Sequence, residues 1–211
     1  LHAKPHSNRG YIREALKEQG LEDISKEELT DTVNAVRGAM HDIVPGPMEV
    51  MEWIEREVGK AIKNGATELQ WCTPSGFVVT QKLNKKLFEE VKLQLLGRVK
   101  IRVATEDSDK VDINHHRNAT APNLIHSLDA SLLHLSALRF NAPISVIHDS
   151  VLCRATDMSD LSSIVRETYM YLFAEHSFLE SWAEQINAEE QPPMIDTLEP
   201  GCVIESTYFF C

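Results

Sequence analysis

In ISVIHDSVLCRA, residues 144 to 155, two short apolar arms flank His148, Asp149 and Ser150. The arms read as the strands of a hairpin. A turn chosen for geometry alone would carry Asn-Gly or Asp-Gly, because the favoured two-residue hairpin turns need positive φ. His-Asp-Ser is a poor turn, but it can do chemistry. A carboxylate held on stiff strands can ligate a hard cation such as Mg²⁺, which takes oxygen ligands and keeps several of its waters. A two-ion site needs a second carboxylate to bridge the metals, and no such partner is evident in the sequence. His126 and Asp129 stand i and i+3 on a helical stretch feeding into the first arm. They share a polar face that belongs beside the hairpin. His115 and His116 are adjacent, so they point apart and make a poor metal pair.

The elements that must position these groups follow from periodicity. A helix from Tyr11 to about Gln19 ends at Gly20. A second opens at Ser25, with Glu28 placed for a capping box. Its apolar residues Leu29, Val33, Val36 and Met40 recur at helical spacing. After Pro45-Gly46-Pro47 a third helix runs from about Met48 to Lys63, and Gly65 is its natural stop. The period then changes to two. Strands end at Cys72 and begin again at Phe77 around the turn TPSG, and a strand with a basic outer face spans Val91 to Val103. Residues 105 to 120 read as an exposed loop. Pro122 then starts a helix to about Arg139, with Ile125, Leu128, Leu132, Leu135 and Leu138 as its apolar stripe. Beyond the hairpin, Asp157 or Ser159 caps a helix to about His176, and a short helix runs to Ile186. The terminal Tyr208, Phe209 and Phe210 should dock, since leaving them loose would expose a large apolar surface.

Bulk properties narrow the function less. With 43% hydrophobic and 25% charged residues over 211 positions, the composition is that of a soluble globular chain. No apolar run approaches a membrane span. Cys72, Cys153, Cys202 and Cys211 are far apart and read as free thiols of a reduced compartment. The formal charge of −11 argues against a generic nucleic-acid binder, but it is unevenly spread. Residues 157 to 211 hold 11 acidic side chains and only Arg166 as a base, whereas Lys82 to Arg102 carries seven bases against Glu89 and Glu90. That basic strip is either a solvated face or a surface for a phosphate backbone.

Four stretches together resemble one family, the single-subunit, bacteriophage-type RNA polymerases of phages and mitochondria. They are APNLIHSLDASLL (121 to 133), SVIHDSV (145 to 151), the terminus ESTYFFC (205 to 211), and WCTPSGFVV (71 to 79), which matches the family's Trp-x-Thr-Pro-x-Gly-Phe. Order and spacing agree from about residue 30 to the last residue. The resemblance implies an α+β fold: a helical fingers-like segment over 1–66, then part of a polymerase palm over 67–211. The palm part would hold antiparallel strands, the motif C hairpin packed by helices, and a C-terminal foot. It implies that Asp149 is one of two metal-binding aspartates of a two-ion Mg²⁺ site, with His148 and His126 near the primer end. It also implies that the terminal carboxylate, here on Cys211 where Ala or Ser is usual, lies near the active site.

The family's motif A aspartate and its motif B signature, Lys-x-x-x-x-x-x-x-Tyr-Gly, have no match, and the chain opens on Leu1. The chain is therefore expected to be a C-terminal fragment, inactive alone. It would work with the missing upstream portion on a DNA template, RNA product and nucleoside triphosphates. A phage setting in the host cytoplasm is favoured over a mitochondrion. A-family DNA polymerases are the nearest rival, but Ser150 and NLIHSLD favour the RNA polymerase branch. A non-catalytic interaction module and a self-contained Asp/His metal hydrolase are the readings from other classes.

Overall fold

Among the described residues, three helices precede two successive antiparallel strand pairs, and a long helix then leads to a third pair and the closing helices. The structure, a computed structural model, describes residues 5–21, 23–93, 99–194 and 199–209. The chain divides into two compact units, residues 1–51 and 52–211. This is the α+β class that the sequence implies.

The first unit is built by α1 (Pro5–Glu18), α2 (Lys26–Ile43) and the start of α3 (Pro45–Lys63). The capping box forms as its spacing requires: Ser25 Oγ accepts the Glu28 amide, and Glu28 Oε2 accepts the Ser25 amide at 3.0 Å. Two donors that a helix start leaves without partners are thereby satisfied. Leu29 and Val33 are the buried positions of α2.

In the second unit, the remainder of α3 buries Trp53, Ile54, Glu57 and Val58. Trp53 meets Trp182 edge to face at 5.5 Å. The buried Glu57 carboxylate accepts from Lys60 Nζ at 2.8 Å and from the Glu189 amide at 2.6 Å, so its charge is compensated. The helix stops where the sequence places the stop. Gly65 has φ +105°, and the Ala66 amide returns to the Ala61 carbonyl at 3.1 Å.

Next come β1 (Leu69–Cys72) and β2 (Val78–Gln81), joined by the TPSG turn with Gly76 at φ +83°. The sequence then departs from expectation. The alternation over Val91 to Val103 belongs to two strands, β3 (Asn84–Leu93) and β4 (Val99–Val111), paired antiparallel with Leu93 opposite Val99. They pack chiefly on one another, and both faces are largely exposed. Arg102 lies over the Phe88 ring at 4.6 Å, and Lys100 pairs with Glu90 at 3.3 Å, so the basic strip is partly neutralised within the arm.

The stretch expected as a loop continues β4 to Val111 and then enters α4 (Ile113–Arg139). Asp112 caps this helix by accepting the His115 amide at 3.0 Å. Pro122 is interior to it rather than its start. Its missing donor is tolerated because the turn before it is anchored by fully buried His116 and Thr120. The hairpin β5 (Ile144–Ile147) and β6 (Ser150–Cys153) follows, then a 3₁₀ turn at Ala155–Asp157. The chain closes with α5 (Met158–Met170), a π turn at Tyr171–Glu175, α6 (Phe178–Gln185) and α7 (Cys202–Glu205). No helix of the described residues is long and apolar enough to cross a membrane.

Candidate active site

The hairpin closes on Ile147 opposite Ser150, leaving His148 and Asp149 as a two-residue turn. His148 adopts φ +56° and Asp149 does not share that sign. A left-handed φ at the first turn position is where glycine is ordinarily found, and a larger residue there is strained. The turn is therefore built against its local preference, as the sequence suggests.

Register places Ile144, Val146, Val151 and Cys153 on one face of the hairpin. Ile144, Val151 and Cys153 pack on a core of Phe140, Leu161 and Val165. The opposite face carries Ile147 and Leu152, each more than half exposed, and both strand edges are unpaired among the described residues. The roots are thus fixed while the tip is presented.

The helix α4 supplies the other wall. An open hollow of about 490 Å³ is lined by His126, Asp129 and Ala130 of α4 and by His148 and Asp149 of the turn. The four polar residues singled out in the sequence are brought together. The Asp149 carboxylate has no partner among the described residues, in contrast to Asp112 and Asp157, which accept from the His115 amide and from Arg154. A free carboxylate at a fixed tip suits one ligand position of a hard cation. Among the described residues, no group of three or more His, Cys, Asp or Glu side chains could hold a metal. The carboxylate of Cys211 lies outside the described residues.

The supporting shell is what the sequence left unread. The apolar stripe expected on α4 is only partly turned inward: Leu132 packs on the core and Leu128 and Leu135 are half-buried, whereas Ile125 is 58% and Leu138 81% exposed. The buried face is Thr120, Ala121, Leu124, Ser127 and Ser131. Each hydroxyl returns to the carbonyl four residues earlier, Ser127 to Asn123 and Ser131 to Ser127, both at 2.7 Å. With that donor satisfied, serine is small enough to let another element approach closely. The fully buried Trp71 does so, donating its indole N–H to Ser127 Oγ at 3.3 Å.

Behind this face, the Asn123 amide donates to Gln81 Oε1 at 2.7 Å, and Gln81 donates to Thr120 Oγ1 at 2.9 Å. His116 accepts the Leu83 amide on Nε2 at 3.1 Å. Burial pushes the His116 imidazolium pKa down, so the neutral ring is favoured. A second open hollow of about 480 Å³ lies between α4 and the β1–β2 hairpin and shares His126 and Ala130 with the first. His134 faces it, with Nδ1 3.2 Å from Ser75 Oγ. The signal for this stripe was legible: Asn123, His126, Ala130 and His134 follow one another at helical spacing.

The C-terminal segment docks in part, as an aromatic tail should. Phe209 joins the core beneath the hairpin and meets Tyr169 edge to face at 5.0 Å, whereas Tyr208 is 92% exposed. Phe210 lies outside the described residues.

Comparison with known proteins identifies the family of the chain. The family described as DNA-dependent RNA polymerase matches residues 5–199. The DNA-directed RNA polymerase of Pseudomonas phage phiKMV is 34% identical over 177 residues, covering 82% of this chain. The mitochondrial DNA-directed RNA polymerase 1 of Nicotiana sylvestris is 27% identical over 213 residues, covering 96% of this chain. The chloroplastic/mitochondrial polymerase 2 of Arabidopsis thaliana is 28% identical over 215 residues. In each case the chain spans 21% of the relative's own length. With the family matched over nearly its whole length, this chain belongs to the DNA-dependent RNA polymerases of the phage and organellar type.

Proposed function

We propose that this chain supplies part of the catalytic centre of a DNA-dependent RNA polymerase, with Asp149 as one of its two metal-holding aspartates. The observation that carries the reading is the Asp149 carboxylate, without a partner among the described residues, at a braced hairpin tip that opens into a hollow shared with His126 and His148. Two Mg²⁺ ions at such a centre would stabilise the charge on the attacking and leaving oxygens of nucleotide addition.

The chain's own residues hold and orient. Asp149 provides one oxygen ligand from a strand pair whose roots are packed, so the ligand position is set before substrate arrives. His148 and His126 face the same space and contact the primer end of the RNA. The Cys211 carboxylate is proposed to lie near this centre. The second aspartate comes from the upstream portion, whose strand would add to a free edge of the β5–β6 hairpin and cover Ile147 and Leu152. Residues 1–66 then serve as a fingers-like segment and 67–211 as the palm part. Template DNA, RNA and nucleoside triphosphates are the partners of the completed enzyme. Its setting is the host cytoplasm of a phage infection.

The test is complementation. The segment is joined behind the upstream portion of a phage relative, and Mg²⁺-dependent RNA extension is measured. The reading requires extension by the completed polymerase and its loss in Asp149→Ala. Extension that survives Asp149→Ala overturns it.

A further inference from the structure

Arg166 is the single Lys or Arg among residues 157 to 211, and its guanidinium reaches the C-terminal segment. Its Nη1 donates to the Val203 carbonyl and, at 2.7 Å, to the Ser206 carbonyl. Its guanidinium lies 5.3 Å from the centre of the Phe209 ring, within cation–π range. One side chain on α5 therefore grips the segment at three places. The grip uses the planar fork of an arginine, whose donors diverge in a fixed geometry that a lysine lacks.

What the segment is held against gives the grip its consequence. Phe209 packs in the same core as Phe140, Leu161 and Val165, and that core also receives Ile144, Val151 and Cys153. These last three are the inward face of the hairpin that ends in Asp149. Tyr169, one turn along α5 from Arg166, also meets Phe209, edge to face at 5.0 Å. Tail, α5 and hairpin roots thus share one packed cluster. Interiors this dense transmit small displacements instead of absorbing them.

The geometry points to Arg166 as a positioning residue for the polymerase reaction. By clasping residues 203–209 it seats Phe209 beneath the β5–β6 roots and so sets where the Asp149 carboxylate stands. This rests on the reading of Asp149 as a metal-holding aspartate, and the test separates the two.

Hydrogen–deuterium exchange on the chain as it stands follows the amides of 199–209 and 144–153 in wild type, Arg166→Gln and Arg166→Lys. Arg166→Gln is expected to speed exchange in both segments, with Arg166→Lys between it and wild type. Steady-state extension by the completed polymerase is then measured for Arg166→Gln, Phe209→Ala and the double variant. The expected result is a fall in kcat of about 10-fold or more, the scale that a small misplacement of a reacting group produces. KM for the nucleotide should stay within about twofold, since uniform binding is untouched. The double variant should be no worse than the poorer single one, because both act through one contact.

Unchanged exchange at 144–153, losses that multiply in the double variant, or a change confined to KM would overturn the clasp. If Arg166→Gln does not fold, Arg166→Lys and Phe209→Ala decide by the same readouts. Activity retained in Asp149→Ala would instead sink the underlying reading and leave the exchange result to stand by itself.

Discussion

At the scale of single residues, the turn His148-Asp149 sets chemistry against conformation. A left-handed φ at a non-glycine costs roughly 1–2 kcal/mol, and a strained residue persists only where the surroundings hold it. His148→Gly should therefore leave the melting temperature unchanged or slightly raised, because relief of strain offsets the roughly 0.5–1 kcal/mol of added chain entropy. Extension by the completed polymerase should fall in the same variant. Thermal denaturation checks the first half, and a clear drop in melting temperature would show that His148 is not strained. Asp149→Asn keeps shape and removes charge; extension should fall more than about 100-fold, since a lost metal ligand forfeits several kcal/mol. The carboxylate and both histidines were legible from residue type and context. The left-handed φ was foreshadowed only by the poor fit of His-Asp-Ser to a turn.

At the scale of elements, legibility followed the apolar pattern and failed where polar groups do the packing. The β5–β6 hairpin, the Ser25–Glu28 cap and the Gly65 stop announce themselves by local chemistry. The β3–β4 arm did not, because its alternation runs through from Val91 to Val103 and its lower half is polar on both faces. In α4 the buried serines look like surface residues until their hydroxyls are seen bonded to the preceding turn. Ser131, fully buried, should tolerate no bulk: Ser131→Leu is expected to cost about 1–3 kcal/mol by urea denaturation, as overpacking does. His116 makes the junction of β2, β3 and α4 sensitive to pH. Its folded-state pKa is held below the ordinary value of about 6.5, so the unfolded chain takes up the proton first. Its contribution to stability is intact above about pH 6.5 and declines as pH falls below it. Urea midpoints measured against pH should show that decline in wild type and a flatter curve in His116→Gln.

At the scale of the whole molecule, net charge misleads. Of the −11 total, −10 falls on the C-terminal 55 residues, while seven of the 21 basic residues lie between Lys82 and Arg102 and the one arginine of the C-terminal part grips the tail. The apolar face of β5–β6 is exposed and its edges are unpaired among the described residues, in a chain spanning 21% of the phage phiKMV polymerase; on the proposed function, the upstream portion covers them. Sequence could locate the hairpin and its polar tip but not their support, because Phe209, Arg166 and the hairpin roots come together only through long-range packing. The central claim is that Asp149 holds a metal ion, and local cleavage tests it most directly. Fe²⁺ is substituted for Mg²⁺ in the completed polymerase, and hydroxyl radicals generated with ascorbate and peroxide cut the chain beside the ion. Cuts are expected within residues 144–153 and near His126, competed away by excess Mg²⁺ and lost in Asp149→Asn. Cuts that persist unchanged in Asp149→Asn, or that fall elsewhere in the chain, would contradict it.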